Sequence, residues 1–91
     1  MAEGTINLAR AIKVRGEDAR TLVVQRRGNL GDLRAAAKGA DELDALQIMV
    51  SRLCGITREE ADEIDAGDVL AVTEGIAPFA GGGPKTGGKQ P

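Results

Sequence analysis

The sequence has no histidine, tryptophan or tyrosine, a single phenylalanine (Phe79) and a single cysteine (Cys54). Each scarcity removes a class of chemistry. Without histidine, the commonest general base near neutral pH and the commonest metal ligand are both missing. A lone cysteine closes no internal disulfide. Cys54 stands at the apolar end of a predicted helix with no imidazole to activate it, so it reads as a small core residue. The scarcity of aromatics argues against a surface that stacks bases. No stretch is long and apolar enough to span a membrane, and the N-terminus lacks the apolar run of a signal peptide. The expected compartment is therefore the cytoplasm. The acidic run Glu59, Glu60, Asp62, Glu63, Asp65 lacks the alternation and glycine of a calcium loop and reads as a solvated helix face. The chain reads as non-enzymatic, with no catalytic residue, metal site or cofactor expected.

Ninety-one residues allow one small domain, whose core must come from Leu, Ile, Val and Ala. A core of this size is marginal alone, so a partner or association between copies can supply stability. The net charge is only −2, but its distribution is uneven. Residues 10–38 carry Arg10, Lys13, Arg15, Arg20, Arg26, Arg27, Arg34 and Lys38 against Glu17, Asp18 and Asp32. Residues 39–79 are strongly acidic, with Arg52 and Arg58 as their only cations. Such asymmetry suits nucleic-acid binding, head-to-tail contact between copies, or simply two solvated faces.

TINLARAIKV alternates, placing Ile6, Leu8, Ile12 and Val14 on one face of a strand. RGED reads as a turn and RTLVVQR as a second strand, giving a hairpin over about 5–26 in which Leu22 and Val24 oppose Val23. Asn29 caps a helix over 30–38 and Gly39 stops it. Asp41 caps a second over 41–54, ended by Gly55. Thr57 and Glu60 form a capping box, with Ile56 stapled onto Ala61, for a third over 58–64. Asp65 caps a fourth over 66–77, which Gly75 weakens. Residues 80–91, AGGGPKTGGKQP, have nothing to bury and read as a disordered tail. Within it Gly83, Gly88 and Lys89 spell most of a phosphate-binding loop. The magnesium-binding hydroxyl is replaced by Gln90 and no helix follows, so the match carries no function. The fold class is α+β: a small domain with an N-terminal hairpin, about four short helices and a flexible tail.

Two surfaces are candidates for binding. Leu43, Leu46, Met49, Val50 and Leu53 form one helical stripe, and Val69, Val72, Ile76 and Phe79 form another. One stripe's worth must be core, while an excess can form a groove for a partner's amphipathic helix. The second candidate is the basic hairpin and its exit, with Arg20, Arg26, Arg27 and Arg34, which could meet phosphates. The acidic second half opposes a polyanion there.

Taken in order, Ile6-Asn7-Leu8, Ala11-Ile12, Gly16, Arg26, Gly31-Asp32-Leu33, Leu53-Cys54-Gly55-Ile56, Ile64-Asp65 with Asp68, and Phe79 form a pattern. It resembles the phage tail assembly chaperones of Mu-like and related contractile-tailed phages, across about residues 5–79. The sequence departs from the family's habit at Gln25, where apolar alternation usually continues, and at Arg27-Gly28, where a proline is common. The resemblance implies a protein that binds the tape measure protein, keeps it soluble, helps recruit tail tube subunits, and is then shed from the finished virion. It also implies action in the bacterial host cytoplasm and, in several members, a longer form made by ribosomal frameshift, for which the Gly/Lys/Pro tail would suit a junction. A nucleic-acid binder and a structural tail or connector component stand as the alternatives.

Overall fold

Alternation of apolar and polar residues gives the N-terminal half its structure. The computed structural model describes residues 4–80. In it, β1 (Gly4–Val14) and β2 (Glu17–Val24) pair antiparallel. Arg15 and Gly16 make the turn, both at positive φ (54° and 83°), as a tight two-residue hairpin turn requires. The turn is shorter than RGED suggests, because Val14 already pairs with Glu17 and Lys13 with Asp18. Ile6, Leu8, Ile12, Leu22 and Val24 are buried on one face, with Val14 half-buried beside them. The register runs from Gly4 opposite Val24 to Asn7 opposite Thr21, then breaks and resumes with Ile12 opposite Ala19. β1 therefore carries a bulge around residues 8–11, which frees backbone groups that need other partners.

Four helices follow: α1 (Leu30–Ala37), α2 (Glu42–Cys54), α3 (Arg58–Asp62) and α4 (Val69–Ile76). Each of the first three starts at a side-chain cap. Asn29 accepts from the Asp32 amide, Asp41 from the Asp44 amide, and Thr57 from the Glu60 amide. Each such cap contributes about 1 kcal/mol. Gly55, in the left-handed region, ends α2. The third helix stops at Asp62, short of Ile64, because the amides of Glu63 and Ile64 bond only three residues back. The predicted fourth helix divides. Ala66–Asp68 forms a 3-10 turn in which Asp65 caps the Gly67 amide, α4 follows, and Ala77–Phe79 closes in a second 3-10 turn around Pro78. The tail expected over 80–91 lies outside the described residues apart from Ala80.

The helices cover one face of the hairpin. Val24, Val50, Leu53 and Val72 are almost wholly removed from water and form the centre of the core with Ile6, Leu22 and Ile76. Burying one such aliphatic side chain stabilises the fold by about 1.5–3 kcal/mol. Gly75 explains its own presence in α4. A Cβ there would lie 2.6 Å from Cγ1 of Ile6, so the helix approaches β1 more closely than any other residue permits. The Gln25 amide donates to the Leu53 carbonyl at 2.8 Å, joining the end of β2 to the end of α2.

Candidate partner-binding groove

The nine stripe residues separate by position. Met49, Val50, Leu53, Val72 and Ile76 are buried in the domain's own core. Phe79 is half-buried with its ring against Gly4, where a Cβ would lie 2.9 Å away. Leu43, Leu46 and Val69 line an open groove of about 270 Å³ between α2, α3 and the start of α4. Ile64 and Ala61 form part of its floor and Asp62 stands at its edge. Leu43 is exposed, while Leu46 and Val69 are half-buried. The two stripes thus converge, but only at their N-terminal ends do they leave apolar surface open.

A polar network joins α2 and α3 beside the groove. Gln47 Nε2 donates to Asp62 at 2.6 Å and to the Arg58 carbonyl at 3.0 Å. Arg58 donates back to Gln47 Oε1 and to Asp44 at 2.8 Å. These contacts tie α2 to α3 beside the groove. A second hollow beside the groove is shared by Asp41, Asp44, Arg58 and Asp62, so carboxylates outnumber cations around the opening. What this arrangement can do chemically is accept apolar side chains from a surface that carries positive charge nearby.

The basic residues are less available than their sequence suggests. Arg26 donates from Nη1 and Nη2 to the two carboxylate oxygens of Asp32, at 2.7 and 2.9 Å. Arg52 adds a bond from Nε at 2.7 Å, and the Asn29 amide adds another at 2.8 Å, completing a reciprocal capping box. Asp32 is fully buried. The Arg26 guanidinium, aided by Arg52 and the Asn29 amide, holds its carboxyl well below the usual range despite that burial. Arg20 donates to the Ala9 carbonyl at 3.3 Å. Arg27 and Arg34 are exposed.

Two carboxylates have structural roles that the sequence analysis did not assign to them. Asp32 carries a legible signal, since Asn29 and Asp32 have capping-box spacing. Its capture of Arg26 and Arg52 has none. Asp68 is buried and accepts from the Ala9 and Arg10 amides at 3.0 and 3.1 Å, which satisfies donors released by the β1 bulge. At the hairpin turn the Glu60 carboxylate accepts from the amides of Arg15 and Thr57, at 2.8 and 2.9 Å. Those bonds, Arg15 foremost, lower its carboxyl below the ordinary value. Burial pushes the Cys54 thiol up to about 11, leaving it protonated and inert as a nucleophile.

Among the described residues, no three His, Cys, Asp or Glu side chains converge in a metal-binding group, and no helix is long and apolar enough to cross a membrane. No curated protein and no solved structure matches the chain. A family model described as phage tail assembly chaperone proteins, E, or 41 or 14, matches residues 5–81, which takes in the hairpin, all four helices and both walls of the groove. The chain therefore belongs to the phage tail assembly chaperone family, and its role lies in tail assembly.

Proposed function

We propose that this chain binds the tape measure protein through the groove of Leu43, Leu46 and Val69, keeps it soluble, and helps recruit tail tube subunits around it. The observation that carries the reading is the open apolar groove in a member of this family. A tape measure is a long amphipathic helix-former, and a groove between helices suits the apolar face of such a segment. A shallow groove gives weak single contacts, and many copies along one client add up through multivalency. The chain does this without catalysis, in the host cytoplasm, and leaves before the virion is complete.

The test is a pull-down of tagged chain from phage-producing cells, paired with a Leu43→Glu variant. Recovery of a long helix-rich protein by the wild type and its loss in the variant support the reading. Equal recovery by both, salt-released nucleic acid as the main bound species, or tagged chain within purified virions would overturn it.

A further inference from the structure

The apolar groove continues into two further hollows, and their charges are opposite. The groove shares Leu43, Gln47 and Asp62 with the hollow of about 440 Å³ that Asp41, Asp44 and Arg58 also line. That hollow in turn shares Asp44 and Arg58 with a third, of about 390 Å³, between α1 and α2. The groove and the third hollow have no lining residue in common. Their order in space is therefore groove, second hollow, third hollow.

In the second hollow the carboxylates of Asp41, Asp44 and Asp62 face one guanidinium, that of Arg58. In the third, Lys38, Arg52 and Arg58 face Asp44 alone, beside half-buried Ile48 and Ala35. Asp44 is already committed, since its two oxygens accept from Arg58 at 2.8 Å and from the Ala40 amide at 2.9 Å. Arg52 shares the single carboxylate of Asp32 with Arg26, so one positive charge of that trio is left over. Lys38 is exposed at the end of α1 and, among the described residues, has no ion-pair partner. The Asp44–Arg58 pair is thus a boundary. Acid is in excess on its groove side and cation on the other.

We infer that the groove selects a client segment by the order of its charges. An apolar helical stripe fills the groove, a Lys or Arg next to it meets Asp41 and Asp62, and an acidic residue farther out meets Lys38 and Arg52. The inference rests on the client reading above and adds what the client must carry. A segment with the two charges exchanged sets an anion against three carboxylates and a cation against Lys38, which is repulsive at both places. Both segments have the same net charge, so the hollows distinguish order alone. Exposed ion pairs contribute little singly. Repeated along one client by many copies, the preference multiplies.

Fluorescence anisotropy of the full chain with two labelled, end-blocked synthetic peptides tests it. Both peptides have the same composition and the same central Leu/Ala helical stripe. One carries Lys inside and Glu outside at each end; the other carries Glu inside and Lys outside. Each reads alike from either end, so the direction of binding does not matter. The Lys-inside peptide should bind about fivefold tighter at low salt, and the gap should close at high salt. Lys38→Glu, at an exposed position and checked for its fold by circular dichroism, should weaken the Lys-inside peptide and strengthen the other. Equal affinities that Leu43→Glu abolishes, or a gap that Lys38→Glu leaves unchanged, would overturn the charge order and leave the groove reading standing. Binding that Leu43→Glu does not touch, or no binding by either peptide, would overturn both.

Discussion

Helices α1 and α4 are both eight residues long, and each has a buried carboxylate at its N-terminal end, yet they are anchored differently. α4 presses Val72 and Ile76 into the core and uses Gly75 to lie close on β1. α1 turns a charge inward and its leucines outward. The carboxylates differ in the same sense. Asp32 closes its own helix cap and gathers two guanidinium groups, so a charge network anchors α1. Asp68 makes no cap bond to α4 and instead holds two backbone amides of the β1 bulge. The contrast teaches that an apolar residue in a helix is not by itself a core residue. α1 is held by charge, which leaves its leucines free for another surface.

Breaking the anchor of α1 should give the largest effect. Asp32→Ala removes charge-assisted bonds to Arg26 and Arg52 together with half of the capping box. The two cations are half-exposed and can return to water, which limits the cost. Urea unfolding should show a loss of about 3 kcal/mol. The same carboxyl sets a pH dependence. Its folded value lies below its unfolded value of about 4, so its contribution is present above that pH and is lost as pH falls further. Asp32→Asn should therefore be less stable than wild type at neutral pH, with the difference shrinking on acidification. A constant difference down to about pH 2 would show that Asp32 titrates alike in both states.

Breaking the close approach of α4 comes next. Gly75→Val gains helix propensity but drives a branched side chain into Ile6. The net loss should be about 2 kcal/mol, read by thermal or urea unfolding. A neutral result would mean that α4 lifts from β1 without cost. Asp68→Asn is milder, since one amide oxygen can still accept while the amide NH₂ meets a backbone donor. A loss of about 1 kcal/mol is expected, with faster amide exchange confined to Ala9 and Arg10.

The comparison also shows what a linear reading can reach. The hairpin was legible because Ile6, Leu8, Ile12, Leu22 and Val24 keep the period of a strand. The starts of α1, α2 and α3 were legible because Asn29, Asp41 and Thr57 are local caps, whereas Asp65 caps a 3-10 turn and not α4 itself. Gly75, by local rules, is only a weak helix residue; its reason is Ile6, far away in sequence. Arg26 reads as a surface cation until Asp32 and Arg52 are seen around it. The bulge in β1 has no local mark, because what stabilises it is Asp68. Likewise both stripes were visible, but which of their residues are buried depends on packing against the hairpin, which the local sequence does not show. Local signals reached the elements, and contacts distant in sequence decided which residues stay exposed.

The smallest effect on stability sharpens the contrast most. Leu33 lies on α1 and Val72 on α4, both aliphatic helix residues, yet only Val72 is buried. Leu33→Ser removes a leucine without opening a cavity, so the unfolding free energy should change by no more than about 0.5 kcal/mol. Val72→Ala removes less side chain but from the core, and should cost about 1–2 kcal/mol or more. If Leu33→Ser at low protein concentration proved as damaging as Val72→Ala, the outward face of α1 would be packed within its own chain. If it leaves stability intact while lowering the sedimentation coefficient of concentrated samples, the leucine serves contact between molecules. Measuring both variants at two concentrations separates a stability defect, present at each, from an association defect that appears only at the higher one.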